Sequence, residues 1–177
     1  MCIRDRREIV LDRRAVQADI AKDGLKVVYT WNGDEDRAAW LQYDYRTRWS
    51  FKGGGSHQTD WTRADAPMID LFTPYERRVV QIVGDRAALK QRGVRAVVVE
   101  VSYPFFSERR TQTVVVRPDQ EPAADAASAE PRIEITQPLG QQEYSYVITW
   151  QLEGNRRLTA KGTDTGGIVF IDDVPAS

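Results

Sequence analysis

From Leu41 to Lys52 the residues alternate without a break: odd positions carry Leu, Tyr, Tyr, Thr, Trp and Phe, and even positions carry Gln, Asp, Arg, Arg, Ser and Lys. A period of two sends one face to a core and the other to water. A helix would scatter the aromatic rings of Tyr43, Tyr45, Trp49 and Phe51 around its axis. The pattern therefore predicts an antiparallel strand covered on one side. Gly53-Gly54-Gly55 supplies its stop.

The design returns at Tyr144–Gly154, where Tyr144, Tyr146, Ile148, Trp150 and Leu152 share one parity. A constant offset of 101 pairs Tyr43 with Tyr144, Tyr45 with Tyr146, Trp49 with Trp150, Phe51 with Leu152 and Gly53 with Gly154. The same offset carries Met68-Ile69 onto Val169-Phe170 and Pro74 onto Pro175. Such a correspondence reads as an internal duplication. A second echo, at an offset of 69, pairs Val10 with Val79, Ile20 with Leu89 and Asp23–Lys26 with Arg92–Arg95. The change of offset gives the second copy a 32-residue insertion.

The strands expected on these grounds are Ile9–Leu11, Leu25–Trp31, Leu41–Phe51, Met68–Phe72, Val79–Val83, Ala96–Tyr103, Thr111–Arg117, Ile133–Thr136, Glu143–Leu152, Arg157–Lys161 and Ile168–Asp172. Single helical turns are expected at Arg14–Lys22 and Arg86–Gln91, each before a Gly stop. The fold class is all-β, with antiparallel sheets packed face to face. The duplication divides the chain into a first module at residues 7–74 and a second at 75–177, with the boundary at Pro74-Tyr75. Within the second, residues 118–131 read as a long loop, because Asp119–Pro131 is small, acidic and closed by prolines.

Composition narrows function by exclusion. With 25 Lys+Arg against 26 Asp+Glu the net charge is −1, which gives no overall field to collect phosphates and argues against nucleic acid as a partner. One His and one Cys are too few for a zinc finger, a His-rich zinc site, a disulfide framework or an iron–sulfur site, so no metal and no cofactor are expected. No run approaches the length of a membrane span, so no membrane insertion is expected.

The Tyr-x-Tyr-x-x-x-Trp-x-[Phe/Leu]-x-Gly strand, the Ile168–Asp172 strand and the repeated organisation resemble the tandem immunoglobulin-like or fibronectin-like β-sandwich modules of bacterial surface and secreted proteins. The likeness covers residues 7–177 and is one of architecture. It implies two tandem sandwich modules in a larger periplasmic or extracellular protein, and carries over no catalytic residue. The Cys pair that brackets a Trp in immunoglobulin domains proper is absent. Met1-Cys2-Ile3-Arg4-Asp5-Arg6 resembles the translated adapter read-through at the head of some metagenomic reading frames. That implies a non-native leader over residues 1–6.

Four groups of residues invite a chemical reading. Ser56, His57 and Asp60 lie together after the glycines, but a triad converges from separate elements and no Gly-x-Ser-x-Gly elbow is present, so a polar loop is expected. Asn32-Gly33-Asp34-Glu35-Asp36 lacks the Asp-x-Asp-x-Asp-Gly spacing of a calcium loop and reads as a hairpin turn. Asp164, Asp172 and Asp173 are consistent with solvated loops. Of the tryptophans, Trp49 and Trp150 belong to inward faces, whereas Trp40 and Trp61 are the candidate ligand-binding residues, suited to stacking on a sugar ring. The expected function is a non-catalytic structural or interaction module with a protein partner. The alternatives are a carbohydrate-binding module and a carboxylate-dependent hydrolase, which would need a cleft with a raised carboxyl pKa.

Overall fold

The computed structural model describes residues 7–12, 41–120 and 131–175, which fall into two compact units. The chain is all-β apart from one short helix and a single 3₁₀ turn among the described residues. Among these residues no helix is long and apolar enough to cross a membrane.

In the smaller unit, residues 1–45 and 61–67, strand β1 (Tyr43–Tyr45) pairs antiparallel with β4 (Thr62–Ala64). Arg63 Nε donates to Asp44 Oδ1 at 3.1 Å across the ladder.

The larger unit, residues 46–60 and 68–177, contains the main core. Its first element is a short hairpin, β2 (Arg48–Ser50) on β3 (Ser56–Gln58), turned by Gly53, Gly54 and Gly55. All three glycines have φ between +77° and +103°, a region closed to most side chains. Then come β5 (Tyr75–Val83), α1 (Arg86–Gln91), β6 (Val94–Phe105), β7 (Glu108–Val116), β8 (Arg132–Pro138), β9 (Tyr144–Leu152), a 3₁₀ turn (Glu153–Asn155), β10 (Arg157–Asp164) and β11 (Ile168–Phe170).

Two sheets result. One is antiparallel in the order β10-β9-β6-β7; the other runs β11-β5-β8, with β11 parallel to β5. Both contribute to one apolar cluster: Val97, Val99, Val101, Ile148 and Trp150 from the first, and Val80, Ile82, Ile133, Ile135 and Val169 from the second. The alternation that sends these residues inward sends Glu100, Ser102, Arg132, Glu134 and Gln81 outward. Glycine is needed where β10 passes the Tyr146 ring, because a Cβ on Gly162 would stand 2.5 Å from it.

The connectivity differs from the immunoglobulin constant type, in which the first, second, fifth and fourth strands share a sheet. Here, counting from β5, the second, third, fifth and sixth strands share one sheet, and the first and fourth join the seventh. The long connection from β7 to β8, whose residues 121–130 lie outside the described set, carries the chain from one sheet to the other. Both flanking strands feed the same core through Val116 and Ile133.

Several sequence expectations change. The Leu41–Phe51 strand is two three-residue strands with different partners, broken at Arg46-Thr47, where Thr47 and Thr59 exchange backbone and hydroxyl hydrogen bonds. Its counterpart at offset 101 is continuous, because β9 is paired along its length by β6 and β10. Trp49 is accordingly half-buried while Trp150 is 1% exposed. Met68–Phe72 and Ile9–Leu11 form no strand; apolar composition does not suffice without a partner ladder. The expected strand Leu25–Trp31 and turn Arg14–Lys22 lie outside the described residues, as do the leader 1–6 and Asn32–Asp36. The turn at Arg86–Gln91 is α1, capped by Asp85 Oδ1 accepting from Ala87 and Ala88 N–H at 2.8 and 3.1 Å.

Candidate functional site: a basic cleft at the bulged end

The ladder between β6 and β9 slips once. Val94 pairs with Leu152 and Ala96 with Gln151, so Arg95 is the extra residue of a β-bulge. A bulge bends its strand and re-aims the side chain it leaves over, and Arg95 is exposed. The turn from β9 to β10 is held beside it: Glu153 N–H donates to Gly93 O at 3.0 Å, and Leu152 N–H to Arg156 O at 2.9 Å. Gly154 and Asn155 take φ of 70° and 62°, the left-handed region that Gly and Asn tolerate best. This tight turn brings Arg156 and Arg157 to the same end. Lys90, from the last turn of α1, and Arg117, directly after β7, complete the group.

The result is a cleft of about 520 Å³ lined by Lys90 and residues 93–96, by Arg117 and Asp119, and by residues 151–153 and 155–157, all in the larger unit. That size is within the usual range for ligand sites. Among the described residues, five cations, Lys90, Arg95, Arg117, Arg156 and Arg157, face it with two carboxylates, Asp119 and Glu153. None of the five makes a side-chain hydrogen bond or ion pair with another described residue. Neighbouring arginines behave otherwise: Arg86 donates to Gln120 O at 2.6 Å and Arg92 to Asp172 O at 3.3 Å. Guanidinium groups left with their donors outward in a concave site favour oxyanions, which they can hold bidentately. Among the described residues no aromatic ring lines the cleft.

The opposite end of β9 and β10 is also polar, but its groups are engaged with one another. Arg78 donates to Gln142 O at 2.8 Å, Thr165 O at 2.7 Å and Gln137 Oε1 at 3.4 Å. Gln137, fully buried, donates in turn to Glu143 O at 2.9 Å. Tyr144 O–H donates to Asp164 Oδ2 at 3.1 Å, while Asp164 Oδ1 accepts from Thr165 and Gly166 N–H at 2.7 and 2.9 Å. Burial first, then the Asp164 contact, raises the Tyr144 phenol above its ordinary range. The Gly166 amide, followed by the Thr165 amide and the Tyr144 hydroxyl, outweighs desolvation and lowers the Asp164 carboxyl. Asp164 is thus a turn-holding residue at the end of β10.

A carboxyl lowered in the folded state stabilises the fold above its unfolded pKa and loses that contribution as pH falls through the folded value. Stability is therefore expected to fall as pH drops below about 4, and Asp164→Asn to flatten that part of the profile. Urea midpoints measured between about pH 5 and 2 check it; identical acid slopes for the two proteins would refute the role of Asp164.

The residues singled out in the sequence are placed as follows. His57 is a strand residue, in β3, with its ring stacked on Phe106 at 4.6 Å and 27°, not part of a solvated loop. Ser56 is exposed beside it and Asp60 lies beyond the strand. Trp61 is 55% exposed in the smaller unit, whereas the cleft belongs to the larger one. Trp40 lies outside the described residues. Among the described residues no three His, Cys, Asp or Glu side chains are grouped to hold a metal ion. The cleft cations were not singled out in the sequence: they come from four separate stretches, and only the Arg156-Arg157 pair after Gly154-Asn155 is a local signal. No protein-family model and no curated protein sequence matches this chain.

Proposed function

We propose that this chain is a non-catalytic interaction module of a larger bacterial secreted or envelope protein, and that it engages its partner at the basic cleft. The observation that carries the reading is the group of five cationic side chains with no internal partner among the described residues, held on a continuous core. Such groups bind and orient, and arginine does not exchange a proton near neutral pH. The offset of 101 supports a tandem arrangement of two related modules.

Ion-exchange behaviour tests the reading directly. At pH 7.5 a chain of net charge −1 with evenly mixed charges flows through a sulfonated cation exchanger. Retention at low salt, eluted by added salt, is expected here because the cations are focused in one place. Arg156→Glu/Arg157→Glu is expected in the flow-through, and Trp40→Ala/Trp61→Ala is expected to be retained. A wild-type chain that is not retained overturns the reading.

A further inference from the structure

We infer that the cleft takes an acidic oligosaccharide, a chain of sugars bearing carboxylate or sulfate groups. This rests on the reading of the cleft as the partner-binding site. Its lining is mixed in a way that selects among anions. Arg95, Arg117 and Arg157 supply donors for oxyanions, while Asp119, Glu153 and Asn155 supply acceptors among them. A bare polyanion such as polyphosphate has nothing to donate to those acceptors and is repelled by the two carboxylates. An acidic sugar offers its charged group to an arginine and its hydroxyls to a carboxylate or an amide on the same residue.

The other polyanions fit less well. Single-stranded nucleic acid is held by aromatic platforms on which bases stack, and the cleft has no aromatic ring among the described residues. The same lack excludes the flat stacking by which neutral sugars are held. An acidic peptide in extended form binds a free strand edge through its backbone, but β6 pairs with β7 from Val97 onward and leaves no more than Val94–Ala96 as an edge, interrupted at its middle by the Arg95 bulge. The volume, about 520 Å³, exceeds what one sulfate or carboxylate needs, and the cations come from α1, the bulge, the end of β7 and the start of β10. They are arranged for a ligand with more than one charged group, as successive acidic residues of a glycan provide.

Calorimetric titration of the full chain tests the inference, with oligogalacturonate and dextran sulfate as probes, and neutral dextran, polyphosphate, poly-glutamate and oligo-dT as comparators. Salt-sensitive binding of oligogalacturonate, dextran sulfate or both is expected, with the two arms separating carboxylate from sulfate as the charged group. Arg95→Ala, Arg117→Ala and Arg157→Ala are each expected to weaken binding about tenfold or more. Unchanged thermal midpoints would show that these exposed positions leave the fold intact. The decisive variants are Asp119→Ala and Glu153→Ala. If they accept hydroxyl hydrogen bonds, their loss weakens glycan binding about threefold or more; if attraction is by charge alone, their loss strengthens it. Strengthening overturns the inference. So does binding confined to polyphosphate, poly-glutamate or oligo-dT, although retention on the cation exchanger would then leave the interaction-module reading standing. Failure of both retention and all titrations overturns the two together.

Discussion

Trp150→Ala is expected to remove about 3–5 kcal/mol of folding stability through the cavity it leaves. Trp150 is 1% exposed in β9, packed in the cluster that the β10-β9-β6-β7 and β11-β5-β8 sheets share. It also joins the sheets by a second route, since its indole N–H donates to Ile171 O at 2.7 Å, just beyond β11. Ile171 is itself buried, so truncation leaves a carbonyl without its partner in an apolar place, a further cost of about 1–3 kcal/mol. A domain of this kind has about 5–15 kcal/mol in total. The variant is therefore expected at or near the unfolding threshold, and Trp150→Phe, which keeps an aromatic ring but no N–H, between it and the wild type. Urea denaturation followed by far-ultraviolet circular dichroism measures both. A loss below about 1 kcal/mol for Trp150→Ala would mean the core closes over the site and the tryptophan is no anchor.

How much of this was legible follows from what each feature depends on. Strands β8 and β9 could be read because alternation is a local property, and each buries one parity against the common core; β6 could be read as an apolar run. Helix α1 could be read, as a single turn, from Ala87, Leu89, Lys90 and the Gly93 stop, all within ten positions. The ends of strands were less legible. β5 extends back to Tyr75 through Glu76, Arg77 and Arg78, and β7 back to Glu108 through Arg109 and Arg110. Charged residues on a strand are held there by the partner's backbone, which no local pattern reports. The break at Arg46-Thr47 has the same origin, since alternation continues through it while the pairing partner changes.

The cleft was the least legible feature. A net charge of −1 averages over the chain, but a ligand meets the local arrangement. Arg95 reaches the cleft only because the β6–β9 register slips, and slippage depends on two strands more than fifty positions apart. Lys90, Arg117 and Arg157 meet it because α1, β7 and β10 all end or begin at one end of the sheets. The aromatic residues drew attention instead, for a chemical reason that remains sound. Position decides between core and ligand, and for Trp150 it decided for the core.

Phe105→Ala is expected to cost about 3–5 kcal/mol and, unlike Trp150→Ala, to release one particular element. Phe105, 2% exposed, ends β6 beside the tight turn into β7. Its ring meets Phe51 edge-on at 4.8 Å and Phe106 at 5.0 Å, lies 6.1 Å from Tyr75, and is covered by the Arg110 guanidinium at 3.7 Å. Phe106, held at φ 54°, stacks with both Phe51 and His57. Phe51 and His57 belong to the β2–β3 hairpin, whose strands have three residues each. A hairpin that short does not persist alone in water; its order derives from these rings, each pair of which is worth about 0.5–1.5 kcal/mol beyond burial. Removing Phe105 removes the ring against which Phe51, Tyr75 and Phe106 all pack. Amide hydrogen exchange is therefore expected to show residues 48–58 losing protection first, under conditions in which β9 and β10 remain protected. If protection falls evenly through the larger unit, the hairpin is held by something other than this cluster. If residues 48–58 keep their protection while overall stability drops, Phe105 supports the sheet end alone and the docking account fails.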